Sequence, residues 1–253
     1  MCEACGCENA QSPRTSLPGE HGHDHADAHV HRHGHDRTAI PIGTEVLAAN
    51  NRIAETNRAL LKSKGLYAVN IMSSPGSGKT TIVEHLARRF GDAMAVIVGD
   101  VQTRRDAERV IRAGSRSVQI ETNGACHLDA HSVEHALERI DLEGCKLLVI
   151  ENVGNLVCPS SYDLGEHEKI AILSLPEGDD KVLKYPSLFH RANVLLIGKI
   201  DLAPYMEFSV DKAVNECRSL NRSVAVFRVS AKTGEGMDAF CGYLAAKAGI
   251  IVA

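Results

Sequence analysis

The segment Ser73-Ser74-Pro75-Gly76-Ser77-Gly78-Lys79-Thr80 sets two glycines before a lysine and a threonine at a spacing that suits phosphate. Gly76 and Gly78 let successive backbone N–H groups curl around an anion, and a helix starting at Lys79 adds the positive end of its dipole. Lys79 can then reach β- and γ-phosphates, and the Thr80 hydroxyl can ligate Mg²⁺. The candidate phosphate-binding run is therefore Gly76, Ser77, Gly78, Lys79, Thr80 and Thr81. A full Walker A motif opens on glycine, and here Ser73 holds that place. An apolar run before it and a helical pattern after it supply the context such a loop needs.

Acids must complete this chemistry. Asp100 closes an apolar run at 94–98, Asp106 follows it, and Glu151 closes Leu147-Leu148-Val149-Ile150. In open parallel sheets, ligands bind beyond the carboxyl ends of the strands. Asp100, Asp106 and Glu151 are thus the candidates for holding Mg²⁺ and orienting water, with the division between them open. Gly154 stands where a γ-phosphate-sensing glycine would.

Two later strand ends address the base. Gly198-Lys199-Ile200-Asp201 and Ser230-Ala231-Lys232 resemble the Asn-Lys-x-Asp and Ser-Ala-Lys elements of GTP-binding proteins. Asp201 can accept from guanine N1–H and N2, a pair adenine lacks. The Ala231 amide can donate to O6, and the Lys199 stem can cover the ring. Gly198 departs from the usual asparagine, which removes an amide hydrogen bond of about 1 kcal/mol. GTP is the expected nucleotide, and GDP the product.

Three groups of residues suit transition metals. Cys2-x-x-Cys5-Gly6-Cys7 brings three thiols together at the start of the chain, and seven of the thirteen histidines lie at His21, His23, His25, His29, His31, His33 and His35. Thiolates and neutral imidazoles bind Ni²⁺ or Zn²⁺, and the irregular histidine spacing fits a reservoir better than a single site. The third group, Cys126-His127 with His131 and Cys158, leaves the carboxyl ends of two predicted strands. It suits Zn²⁺ or Ni²⁺, shared either within one subunit or across a dimer axis. Cys145, Cys217 and Cys241 sit beside strands or on helices and are expected to be small buried hydrophobes.

These groups need a scaffold. Of 253 residues, 44% are hydrophobic and 24% charged, with 28 basic and 32 acidic side chains and a formal charge of −4. Nothing in that balance calls for nucleic acid or a membrane surface as partner. No run is long and apolar enough for a membrane span, and the N-terminus lacks a secretory pattern, so a cytoplasmic location is the default expectation. Residues 1–40 carry few large apolar side chains and are expected to be a disordered metal-binding tail. Residues 41–253 are expected to form one domain. Val46, Ile53 and Leu60, with Leu47, Ala54 and Leu61 beside them, mark one face of a first helix, expected on a sheet edge or against a partner. Strands are predicted near 67–72, 94–98, 117–121, 146–150, 168–173, 193–197 and 223–229. Helices are predicted near 79–90, 103–113, 131–140, 207–220 and 236–248. This alternation predicts an α/β fold, a mainly parallel sheet with helices on both faces.

The whole set resembles the hydrogenase nickel-incorporation GTPases, the HypB family. The likeness rests on Cys2-x-x-Cys5-Gly6-Cys7, the histidine run, the phosphate loop, Asn123-Gly124-Ala125-Cys126-His127-Leu128, Glu151 to Pro159 and Lys184-Tyr185-Pro186. It implies a P-loop GTPase of the signal-recognition-particle-like class that dimerises with nucleotide. It also implies nickel delivery to the [NiFe]-hydrogenase large-subunit precursor, with the small zinc-containing nickel chaperone HypA as partner. The related urease accessory GTPases carry Cys-Pro-His where this chain has Cys158-Pro159-Ser160. Cys158 follows Gly154 by four residues, so GTP is expected to move a metal ligand without touching the metal. A urease-type nickel-insertion GTPase and a nickel or zinc storage protein with a largely structural phosphate loop are the alternatives.

Overall fold

Strand runs that are apolar at every position need cover on both faces, and the sheet provides it. The structure, a computed structural model, describes residues 42–100, 105–122 and 124–251. Its strands are β1 (Tyr67–Ser73), β2 (Met94–Asp100), β3 (Arg116–Glu121), β4 (Leu147–Glu151), β5 (Glu168–Ser174), β6 (Val194–Gly198) and β7 (Ala225–Val229). They form one parallel sheet in the order β3-β2-β4-β1-β5-β6-β7. All seven coincide with the predicted runs to within two residues at each end. The chain builds outward from β1 first to one side, then to the other. The carboxyl end of β1 is therefore a switch point, where such sheets open a ligand crevice.

The helices are α1 (Ile42–Ser63), α2 (Lys79–Phe90), α3 (Arg105–Arg112), α4 (Ala130–Arg139), α5 (Lys181–Lys184), α6 (Pro186–Arg191), α7 (Val210–Leu220) and α8 (Met237–Ala248). On one face Val69, Val96, Val149, Ile170 and Leu196 meet Leu86 of α2, Val110 of α3 and Phe240 of α8. On the other, Ala68, Ile97, Leu148 and Ile150 meet Leu61 of α1 and Val133 of α4. Farther along that face, Ala171, Leu173, Leu195 and Ile197 meet Val182 of α5, Phe189 of α6 and Cys217 of α7. Helices α5 and α6 are too short to show a period and were not among the predicted elements, yet β5 and β6 are parallel and need a crossover.

Helix α1 differs from expectation in position. Its buried side chains are Asn50, Ala54, Asn57 and Leu61, whereas Val46 and Leu60 are exposed. Leu61 packs against the middle of the sheet rather than an edge. The reason is polar. Asn57 Nδ2 donates to the carbonyls of Ala130 (2.9 Å) and Leu164 (3.1 Å), and Asn50 accepts from Ala130 N–H at 2.8 Å and donates to the Asp163 carbonyl at 2.8 Å.

Residues 47–253 form one compact unit. Residues 1–40, with Cys2, Cys5, Cys7 and the histidine run, lie outside the described residues. Among the described residues, no helix is long and apolar enough to cross a membrane.

Candidate functional site

The loop leaving β1 turns at Gly76 and Gly78, whose φ values of +74° and +100° exclude an unstrained side chain. Gly78 caps α2, so the amide-rich start of that helix faces the crevice. Lys79 Nζ donates to Ser73 Oγ at 3.1 Å, which gives the serine at the first Walker position a structural task. Burial pushes the Lys79 ammonium below the usual lysine range, against the pull of Glu151, Asp106, Glu177 and Asp100.

All three predicted acids therefore act on Lys79. Glu151 is the most deeply placed. Its Oε1 accepts from Thr80 Oγ1 at 2.6 Å. Burial raises its carboxyl pKa to about 7, against the Thr80 hydrogen bond and Lys79. Its Oε2 is buried without a hydrogen-bond partner among the described residues. Asp106, in the first turn of α3, accepts from Arg109 at 3.3 Å, and Arg109 also binds Glu84 of α2 at 2.8 Å. Asp100 ends β2, just before residues 101–104, which are not described.

The base elements meet the loop from the other side. Lys199 takes a left-handed backbone (φ +58°), and its Nζ donates to the Gly76 carbonyl at 2.6 Å. This link ties the second motif to the phosphate loop at the side where Gly198 lacks the usual amide. Asp201 Oδ1 accepts from Ser230 Oγ at 2.6 Å. Ser77, Gly78, Thr81, Lys199, Asp201, Ser230, Ala231 and Lys232 line one cavity of about 290 Å³. A wider cleft of about 660 Å³ lies by the amino ends of β5 and β6, but its charges pair with one another, Arg58 with Asp163 and Lys169 with Glu166.

The same carboxyl rim carries the sulfur and imidazole groups. Ligand atoms of Cys126, His127 and Cys158 all lie within 4.8 Å of one another. His127 is buried, and its ring stacks on Tyr162 with centroids 3.9 Å apart. Burial lowers its pKa, against Asp129, so the ring is held as neutral imidazole. Two half-buried thiols and a neutral imidazole suit a borderline or soft divalent ion. His131 does not join them. It is exposed on α4, with Nε2 at 3.2 Å from His135 Nε2 and Nδ1 at 3.5 Å from a Glu134 oxygen. Cys145, Cys217 and Cys241 are buried as expected, and burial pushes the latter two thiols to about 11.

Two contacts join the nucleotide side to this cluster. A Cβ on Gly154 would lie 3.1 Å from Pro75 of the phosphate loop, so the chain leading to Cys158 is packed directly on that loop. Asn152, fully buried, accepts from the Leu128 N–H at 3.1 Å. Sequence reasoning missed Asn152, Tyr162 and the α1 asparagines as site-building residues. The one available signal was polar residues amid apolar periodicity.

A parallel sheet with a glycine-rich loop at its switch point and acids at neighbouring strand ends defines a P-loop nucleotide-binding protein. Residues 67–228 match the family model CobW/HypB/UreG, nucleotide-binding domain. Hydrogenase maturation factor HypB of Escherichia coli (strain K12) is 42% identical over 236 residues, 92% of this chain and 81% of that protein. The Azotobacter vinelandii HypB is 46% identical over 241 residues, 93% of this chain and 78% of that protein. Among solved structures, HypB from Helicobacter pylori in complex with nickel superimposes with a TM-score of 0.76 at 40% identity, covering 79% of this chain and 95% of that one. HypB from Archaeoglobus fulgidus gives 0.75 at 39% identity, covering 80% and 100%. The chain belongs to the HypB family of hydrogenase maturation factors.

Proposed function

We propose that this protein is a slow, switch-like GTPase and nickel metallochaperone. It holds nickel as cargo at Cys126, His127 and Cys158 and yields it to the [NiFe]-hydrogenase large-subunit precursor as its nucleotide state changes. The observation that carries this reading is the convergence of those three donors within 4.8 Å on the rim that also bears the phosphate loop. That the H. pylori relative was solved in complex with nickel supports the choice of metal.

In this reading the amides of 76–80 and Lys79 hold the phosphates, and Asp201 selects guanine through N1–H and N2. Asp100 and Asp106 are the acids assigned to orient the attacking water. The residues fit Mg²⁺: Glu151 keeps one buried carboxylate oxygen unused beside the Thr80 hydroxyl. Thr80, with Glu151 behind it, would hold the ion, which supplies charge neutralisation at the β- and γ-phosphates. The change from GTP to GDP alters the packing of Gly154 on Pro75, and the Cys158 segment follows. Order–disorder or displacement of such a segment is a known form of switch.

The remaining assignments are those that the family likeness implies. Nucleotide-loaded chains pair as homodimers, HypA exchanges nickel with the site, and Zn²⁺ competes for the same donors. Cys2, Cys5 and Cys7, with the histidine run, serve as a further metal store. Lys79→Ala and Cys126→Ala test the two halves separately. Each is expected to abolish nickel insertion into the hydrogenase large subunit, the first by loss of GTP turnover and the second with turnover retained. Full nickel insertion by a Lys79→Ala protein that hydrolyses no GTP would instead establish a storage role.

A further inference from the structure

Consecutive side chains at a strand end point to opposite faces of the sheet. At the end of β4 this puts Glu151 on the side of Thr80 and Asn152 on the side of α1 and α4. Glu151 Oε1 accepts from Thr80 Oγ1 at 2.6 Å. One peptide bond later, Asn152 Oδ1 accepts from Leu128 N–H at 3.1 Å and from Val153 N–H at 2.9 Å. Its Nδ2 donates to Asn70 Oδ1 of β1 at 3.2 Å, and its own N–H donates to the Ile71 carbonyl at 3.0 Å. Asn152 is fully buried, so water cannot take over any of these bonds if it moves.

Leu128 directly follows His127 and is itself seated without slack. A Cβ on Gly99 would fall 2.8 Å from the Leu128 side chain, so that side chain occupies the space over β2 just before Asp100. The segment bearing Cys126 and His127 is thereby bound to the residues adjoining two of the three acids, Glu151 and Asp100.

We propose that Asn152 is a positioning residue that couples the nucleotide state at Glu151 to the placement of Cys126 and His127, through its hydrogen bond to Leu128. This rests on the metal-gating reading above, and adds a route independent of the Cys158 segment. When Glu151 shifts to serve a bound nucleotide, the 151–152 peptide turns with it. Asn152 carries that turn to the Leu128 amide, and the distance from His127 and Cys126 to Cys158 changes.

The test measures the Ni²⁺ dissociation constant of the full chain with GDP and with a non-hydrolysable GTP analogue. Cys2, Cys5 and Cys7 are replaced by serine, so thiolate-to-nickel absorption reports Cys126 and Cys158. The parent protein is expected to show a 5- to 150-fold ratio, roughly the usual span of allosteric coupling. Asn152→Ser keeps a buried hydroxyl but is too short to reach Leu128. Its ratio is expected to fall severalfold while GTP turnover persists, the remainder being carried by the Cys158 segment. Asn57→Ala, which loosens the same loops from the α1 side, is expected to weaken Ni²⁺ equally in both states and leave the ratio intact. Asn152→Asp, which keeps the acceptor, is expected to retain most of the ratio. A parent ratio of one overturns the gating reading together with this proposal. A clear parent ratio that is undiminished in Asn152→Ser overturns the role of Asn152 alone. Should the serine variant not fold, hydrogen exchange at the Leu128 amide of the parent decides. Protection is expected to differ between the nucleotide states, and equal protection overturns the proposal.

Discussion

Glu151 is a buried carboxyl that, on the proposed reading, responds to both protons and nucleotide. Burial raises its pKa from 4.5 to about 7. A folded-state value above the unfolded one means the folded protein binds more protons in that interval. The stabilisation is complete below about pH 4.5 and is lost as pH rises through about 7. The melting temperature of the nucleotide-free protein is therefore expected to decline across that window more steeply than that of Glu151→Gln, by differential scanning fluorimetry. Binding of a Mg²⁺–nucleotide favours the ionised form and is expected to release a proton near pH 6. Titration calorimetry in buffers of different ionisation heat reads that release directly, and it should vanish in Glu151→Gln. At the same scale, burial against Tyr162 holds His127 neutral, so its imidazole can ligate a metal near neutral pH without first losing a proton, whereas the thiols of Cys126 and Cys158 must give theirs up.

Among the elements, α1 shows what was legible in the sequence and what was not. A helix was evident from its apolar period, and Ala54 and Leu61 of the expected face are buried while Val46 and Leu60 beside them are exposed. The other half of the buried register, Asn50 and Asn57, is polar and so hidden from any apolar count. They are buried because the carbonyls of Ala130, Asp163 and Leu164, at the ends of the two cysteine-bearing loops, need donors. Leu61→Ala is expected to cost about 2–5 kcal/mol in urea unfolding, whereas Leu60→Ala should stay within about 0.5 kcal/mol. Asn57→Ala is expected to cost roughly 1–3 kcal/mol, because two buried carbonyls lose their partner. The strands were easier to read, since seven apolar runs bounded by polar turns admit few alternatives. Their order was not legible, because strands covered on both faces look alike whichever neighbours they have. Only a partial signal exists: β3 carries Arg116, Gln119 and Glu121, and β7 carries Arg228, whereas Met94–Val98 of β2, Leu147–Ile150 of β4 and Val194–Ile197 of β6 are apolar throughout.

At the scale of the whole molecule, the sheet works as a mount for two chemistries on one rim. The acids, the phosphate loop and the Gly198–Asp201 motif were each visible in the sequence, because their chemistry demands particular residues at short spacing. The meeting of Cys126 with Cys158 was only conditionally visible. It depends on β2, β4 and β1 being neighbours, so that the segments after β3 and β4 converge over the same crevice. Gly154 lies where the two chemistries touch, and its replacement separates them. In Gly154→Ala the new methyl would sit 3.1 Å from Pro75 Cα and Cγ, tighter than an ordinary contact. Backbone carbon cannot rotate away, so the phosphate loop must give by a few tenths of an ångström, while without nucleotide neither Cys158, four residues further on, nor Cys126, on the segment after β3, need move. Guanine-nucleotide affinity is expected to fall about tenfold, equivalent to about 1.4 kcal/mol, while nickel affinity without nucleotide stays within about twofold, less than about 0.5 kcal/mol. Fluorescent-nucleotide titration and metal-competition titration of the same preparation measure the two. A Gly154→Ala protein that lost both affinities together would show that the rim is a single rigid site rather than two sites joined at a hinge.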